Sequence, residues 1–223
     1  MSALGRPRIH LRTTASTNDR ARALAAAGAP HGTLVTASAQ TAGRGRQGRT
    51  WAGPPGRALL CSLLLRECDP LLPLRAGLAV ADLAGAAARV KWPNDVLLDG
   101  RKLAGILVEA RPQDGWAVLG VGLNLSISST EFPPDLRNKA VSLLSPSSAT
   151  EVLSSHLERW VEAEPGAVLG AWRSRDALRG KEIAWEGGSG VADGVDDRGY
   201  LVVVTAGGDR VALGAGEVHL TRF

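Results

Sequence analysis

The sequence predicts an α+β protein: a mixed, largely antiparallel sheet with helices on one side, followed by a small all-β barrel. Three observations lead there. Apolar runs of strand length alternate with helical stretches over residues 1–176. Two apolar runs flank Asp99-Gly100, a hairpin-turn dipeptide. From about residue 177 the chain breaks into short β runs separated by glycines. At 223 residues the chain suffices for one medium domain, 1–176, and a small one, 177–223.

Residues 8–15 read as a strand leading into Ser16-Thr17-Asn18, and DRARALAAAGAP as a helix capped by Thr17 or Asn18 and stopped by Gly28 and Pro30. Residues 32–40 are strand-like. TAGRGRQGRTWAGPPGR is loop, having neither period. ALLCSLLLR, continuously apolar, is a buried strand. Residues 73–88 form a small-residue helix and 89–91 a strand. Val96–Leu98 and Leu103–Val108 form the hairpin, and residues 116–126 a glycine-bearing strand. Polar loop follows to residue 149. The helical period over 150–179 breaks at Pro165-Gly166 into two helices. EIAWE, GVADGV, YLVVVTA, RVALG and VHLTRF are the barrel strands. At roughly 45 residues that unit is near the lower limit for folding alone and is expected to pack on the first domain.

Composition excludes some classes. Hydrophobic residues make up 44% and charged residues 22% of the chain, which argues against disorder throughout. No apolar run reaches the ~20 residues of a membrane helix. The start has no signal-peptide core, so a cytoplasmic protein is expected. Cys61 and Cys68 are too few for a disulfide framework. The four histidines lack metal-ligand spacing and read as incidental, so no resident metal site is expected. The net charge of +4 suits nucleic acid or any anionic substrate. There are 26 basic residues; lysine is rare among them, and Lys91 and Lys102 share one short stretch.

Gly43, Gly45 and Gly48 match the G-x-G-x-x-G dinucleotide pattern literally. That pattern requires a helix starting within it, and Pro54-Pro55 follows instead. No P-loop signature occurs. The loop's interspersed Arg44, Arg46 and Arg49 are more telling. Glycine allows close backbone approach, and arginine presents a fork of donors that matches carboxylate or phosphate. Three such cations repel one another without an anion, so the loop is expected to order around an anionic ligand. The plain alternative is a solvated basic loop or an RNA contact. The latter calls for interleaved aromatics; aromatics are 4% of the chain and only Trp51 is near.

Four segments occur in order: Ser16-Thr17-Asn18; QTAGRGRQGRTW from Gln40 to Trp51; KWPND from Lys91 to Asp95 with RKLAGIL from Arg101 to Leu107; and GVGLN from Gly120 to Asn124. This set resembles biotin protein ligases, and the resemblance spans nearly the whole chain. It implies a biotin/lipoate ligase-like catalytic domain with an SH3-like C-terminal unit. It also implies an activity: ATP and biotin give biotinyl-5′-AMP, and the biotinyl group then passes to a lysine of a biotin carboxyl carrier protein. ATP, Mg²⁺ and biotin are the small molecules implied. Some members carry an N-terminal winged helix-turn-helix. Here Ser16 comes too early for one, so a ligase without DNA binding is expected, as monomer or homodimer. The linker 86–90 is shorter than usual for the family, and Leu123 replaces a frequent Ile.

Joining a carboxylate to an α-phosphate brings two anions together, so cations must cancel their repulsion. Arg44, Arg46 and Lys102 are assigned to that task, Lys102 as a compact charge in the transition state. The substrate carboxylate is itself the nucleophile, so no Ser-His-Asp set is needed. The resemblance assigns biotin to Ser16, Thr17, Asn18, Gln40, Gly43, Arg44, Gly45, Arg46, Lys102 and Gly105. It assigns ATP to Arg46, Arg49, Trp51, Lys91, Asn94 and Asn124. Neutral donors and acceptors suit a ureido ring; the plain alternative for Ser16-Thr17-Asn18 is a helix cap, and for Trp51 a core side chain. Asp95 either orients Lys102 or takes a proton from the incoming amine. The rival readings are a lipoate-type acyl ligase, a basic-loop nucleic-acid-binding protein and a biotin-sensing repressor.

Overall fold

The computed structural model describes residues 4–143, 149–214, 216 and 218–221. In chain order the first part of the chain carries β1 (Arg8–Thr14), α1 (Thr17–Ala26), β2 (Leu34–Gln40), β3 (Ala58–Leu65), α2 (Leu72–Ala84), β4 (Arg89–Lys91), β5 (Asp95–Leu98), β6 (Arg101–Arg111), β7 (Trp116–Asn124), α3 (Ala149–Glu162) and α4 (Pro165–Ser174). The seven strands form one sheet in the order β1-β2-β3-β7-β6-β5-β4. Only β1 and β2 pair in parallel, as the two strands of a β-α-β crossover; the other neighbours are antiparallel. The sheet is mixed and largely antiparallel, as predicted.

The helices do not share one side. Alternation along β3 separates two faces. Leu59, Cys61, Leu63 and Leu65 join the main core with α2, α3 and α4, while Leu64 packs with Ala21 and Ala25 of α1. An alanine stripe shows that α1 has an apolar face but not which side of the sheet takes it. The face α1 shares carries Ser62, Gly120 and Gly122, and there the candidate site lies.

Local chemistry explains most boundaries. Helix α1 starts one residue earlier than the cap reading required: Ser16 is the N-cap, extended and without a side-chain cap bond. The cap comes instead from β2, where Gln40 Oε1 accepts the Thr17 N–H at 2.7 Å, one of the first-turn donors without a helical partner. Helix α2 stops at Gly85 (φ 92°), short of the predicted residue 88. The β5–β6 turn is the predicted one, with Asp99 at φ 50° and Gly100 at φ 74°, the positive pair a two-residue hairpin favours.

The C-terminal strands are β8 (Glu182–Trp185), β9 (Gly188–Val195), β10 (Leu201–Val204), β11 (Arg210–Leu213) and β12 (His219–Leu220), in the antiparallel order β11-β10-β9-β8-β12. The predicted last strand is shorter, and its residues 222 and 223 lie outside the described ones. Among the described residues no pairing joins β11 to β12, and the unit is an antiparallel sheet of SH3-like character. It docks on the first part of the chain through Ala177 N–H to Val90 O at 2.8 Å and Trp92 Nε1–H to Gly199 O at 3.1 Å. No described helix is long and apolar enough to cross a membrane. Cys61 and Cys68 are both free.

Asp176 sits at this junction, bridged to Val90. Burial pushes its carboxyl up to about 6, against the opposing pull of the Leu178 and Arg179 N–H groups and the Arg179 and Lys181 charges. The folded state therefore holds this proton more tightly than the unfolded chain. The stability this contributes is full below about pH 3.9, the unfolded value. It is lost as pH rises to about 6, through the folded value. Asp176→Asn is accordingly expected to melt higher than wild type at pH 7.5 and level with it at pH 4. Scanning calorimetry at both values checks this.

Candidate functional site

A cavity of about 220 Å³ opens on the α1 face, over β3, β7 and β6. Its inner end is polar and uncharged. Ser16, Thr17 and Asn18 are 2–4% exposed and Ser62 fully buried. Thr17 N–H and Oγ1 both reach Gln40 Oε1, at 2.7 and 3.0 Å. Ser62 Oγ lies 2.8 Å from Thr17 Oγ1 and 2.6 Å from Asn18 Oδ1. Asn18 Nδ2 donates to Glu109 Oε2 at 2.8 Å and Leu107 O at 3.4 Å. Glycine is required beside this chain, because a Cβ at Gly120 would lie 2.2 Å from Asn18 Oδ1.

The floor continues onto a glycine shelf. Trp51 lies against Gly122 and Gly105, whose Cβ atoms would come within 2.4 and 3.0 Å of its ring. Its other edge packs with Ala58, Leu60, Ile127, Phe132 and Ala140. Trp51 therefore packs on a satellite core and also lines the cavity. Beyond it the site is cationic. Lys102 Nζ stands 5.9 Å from the Trp51 ring centroid and 2.7 Å from Asp95 Oδ1. Lys91, Arg46 and Arg49 line the same end. Arg46 Nη1 donates to Asn94 Oδ1 at 3.4 Å, and Asn94 is held by Nδ2–H to Ile106 O at 2.9 Å.

The arginine loop is itself a small hairpin. Gly45 N–H meets Arg49 O at 2.7 Å, Trp51 N–H meets Gly43 O at 2.9 Å, and Arg44 bridges Thr50. It leads into β3, not a helix, so the dinucleotide pattern is indeed a coincidence. Gly43 is needed for the close approach to Trp51 O, 2.4 Å from where its Cβ would be.

Most of the residues singled out in the sequence converge here: Ser16, Thr17, Asn18, Gln40, Arg44, Gly45, Arg46, Arg49, Trp51, Lys91, Asn94, Asp95, Lys102 and Gly105 all line the cavity. Three expectations change. Asn124 does not line it; its amide donates to Val141 O at 3.1 Å and lies 3.5 Å from Lys102 O, bracing the backbone beneath Lys102. Gly43 shapes the loop without reaching the wall. Arg44 does not await an anionic ligand: its Nη2 lies 2.8–2.9 Å from both Glu109 oxygens and 2.9 Å from Asp19 Oδ1. The expected mutual repulsion is thus met inside the chain for Arg44 by Asp19 and Glu109, as Asp95 meets the charge of Lys102.

Other lining residues escaped the sequence reading. Leu107, Gly120 and Gly122 share the alternating face; Glu109, behind the wall and bonded to Asn18 and Arg44, continues the Gly105-Leu107 period of β6, the signal that could have found it. Val218 and His219, just before and at the start of β12, also line the cavity and carry no local sign. His10, by contrast, is occupied by Thr36 and Ser38 at 2.9 and 3.1 Å, and His31 by the Arg66 N–H at 3.1 Å.

Comparison with known proteins agrees with this geometry. Residues 11–125 match the model of the biotin/lipoate A/B protein ligase family. The chain is 38% identical to the Mycobacterium tuberculosis biotin–[acetyl-CoA-carboxylase] ligase, over 93% of this chain and 86% of that one. It is 39% identical to the Bacillus spizizenii bifunctional ligase/repressor BirA over 63% of its length, a match spanning about half, 47%, of that longer protein. The fold superposes on the Aquifex aeolicus biotin protein ligase in complex with biotin and ATP with a TM-score of 0.80 and 27% identity, covering 98% of this chain and 100% of that one. The chain belongs to the biotin/lipoate A/B protein ligase family.

Proposed function

We propose that this chain is a biotin protein ligase. It makes biotinyl-5′-AMP from biotin and ATP, then passes the biotinyl group to a lysine of a biotin carboxyl carrier protein, in the cytoplasm. The observation that carries this is one cavity with a neutral hydrogen-bonding end and a cationic end, separated by the Trp51 shelf. The neutral set of Ser16, Thr17, Asn18 and Gln40 matches a ureido ring, which has both donors and acceptors. A lipoyl dithiolane ring offers only sulfur there, which disfavours the lipoate alternative. The domain boundary is placed at 176/177, so that His219 and Val218 bring the second domain to the site.

In the first step a biotin carboxylate oxygen attacks the α-phosphorus, and the bond to pyrophosphate breaks. Lys102 and Arg46 offset the negative charge gathering there, and Asp95 orients Lys102. Mg²⁺ travels with the triphosphate; among the described residues no three His, Cys, Asp or Glu side chains cluster as a metal site. In the second step the lysine amine attacks the acyl carbon, AMP leaves, and the amine proton is lost, with Asp95 as the carboxylate at hand. The test is pyrophosphate release: it is expected with biotin and ATP, and absent with lipoate or without ATP. Release with lipoate alone would overturn the assignment.

Arg46 and Asn94 both line the cavity and are joined by a hydrogen bond. Arg46→Gly is therefore expected to release biotinyl-5′-AMP faster and to label unrelated lysines. Incubation with a non-carrier protein and a blot for biotin reads this directly; labelling at the wild-type level counts against it.

A further inference from the structure

Glu109 takes no part in the chemistry above, yet three side chains converge on it. Its Oε2 accepts from Asn18 Nδ2 at 2.8 Å and its Oε1 from Arg22 Nη1 at 3.1 Å, while Arg44 Nη2 lies 2.9 and 2.8 Å from the two oxygens. Asp19 closes the ring, with Oδ1 2.5 Å from Arg22 Nη2 and 2.9 Å from Arg44 Nη2. Two carboxylates and two guanidiniums cancel. A single exposed pair contributes little. In this ring each partner fixes the others, and Glu109 is further held by the buried Asn18 amide, so the geometry is over-determined.

The position is as informative as the contacts. Strand β6 carries Lys102 near one end and Glu109 seven residues on, about 23 Å away at strand rise. The arginine loop crosses this strand and touches it twice, through Arg44 at Glu109 and through Trp51 at Gly105. Glu109 is thus the only acidic group that bonds both the loop and the buried Gln40–Thr17–Ser62–Asn18 chain, among the contacts of the described residues. Arg44 accordingly belongs to the fastening of the loop rather than to charge cancellation at the phosphate.

The geometry points to Glu109 as a positioning residue: it latches the arginine loop over the cavity and ties that latch, through Asn18, to the end that takes the biotin head. The readout rests on the ligase reading, because what the latched loop retains is biotinyl-5′-AMP. Glu109→Gln keeps an acceptor oxygen for Asn18 and removes the charge that holds Arg44.

Wild type, Glu109→Gln, Arg44→Ala and the double variant are loaded with biotin and Mg·ATP, and escape of biotinyl-5′-AMP is followed after a chase. Each single variant is expected to release it about tenfold faster, and the double variant no faster than the faster single one. The KM for biotin in Glu109→Gln stays within about twofold of wild type, since Asn18 keeps its acceptor. Release at the wild-type rate overturns the latch, as do effects that multiply in the double variant, or a raised KM with unchanged release. Should Glu109→Gln fail to fold, Arg44→Ala, a change on an exposed loop, decides: wild-type release from it overturns the proposal. Wild-type protein that forms no biotinyl-5′-AMP overturns the ligase reading and the latch together. Wild type and Glu109→Gln that retain it equally overturn the latch alone.

Discussion

Lys102→Ala is expected to lower biotin-dependent pyrophosphate exchange by about 10²–10³-fold, the usual cost of deleting one preorganised charge-stabilising donor. The ammonium is fixed before any substrate arrives. Its backbone is held by Lys102 N–H to Lys139 O at 2.7 Å and Val141 N–H to Lys102 O at 2.9 Å. Its Nζ is held by Asp95 at 2.7 Å and by the Trp51 face. A charge positioned this way needs no reorganisation as the pentavalent phosphorus forms. Lys102→Arg does not rescue the rate, because a planar guanidinium cannot take the place of a compact ammonium between Asp95 and Trp51. Melting temperature should change little, since the pair is part-exposed and such pairs add little to stability. An exchange rate within threefold of wild type would remove Lys102 from the reaction.

Gly120→Ala is expected to weaken biotin binding at least tenfold. The added methyl would sit 2.2 Å from Asn18 Oδ1 and 2.9 Å from Asn18 Cγ. Asn18 has nowhere to go: its amide is tied to Glu109, Leu107 and Ser62, and the side chain is 4% exposed. Either the Asn18–Ser62 contact breaks or β7 shifts, and overpacking of this kind costs about 1–3 kcal/mol. Titration calorimetry with biotin alone reads the effect without the nucleotide. Unchanged affinity would mean that Asn18 and its neighbours do not form the head-group end.

The sequence made strand and helix identities legible where one side chain or turn decides them. Asp99-Gly100 could only be a hairpin, and the continuous apolar run of β3 could only be buried. The side of the sheet that α1 occupies was not legible, because an alanine stripe fits either face and the β-α-β crossover decides it. The pairing of β12 with β8 was equally hidden, being a matter of residues far apart in the chain. For the site, motif residues on adjoining segments were found: Lys102, Arg46 and the Ser16–Asn18 run all reach the cavity. The carboxylate partners of Arg44 were not legible, because Asp19 and Glu109 lie 25 residues before it and 65 after. That Asn124 braces carbonyls behind the cavity was not legible, because a motif position shows that a side chain is constrained, not what constrains it. His219 belongs to a strand whose approach to the site exists only in the tertiary structure.

In the proposed reaction this cavity activates biotin for one lysine on a carrier. Transfer of labelled biotin to a biotin carboxyl carrier domain, with Mg·ATP, tests it most directly. Label on the carrier that disappears when its acceptor lysine is replaced, or when ATP is withheld, is the expected result. A folded protein with Lys102 and Arg46 intact that neither releases pyrophosphate with biotin nor labels the carrier would contradict it.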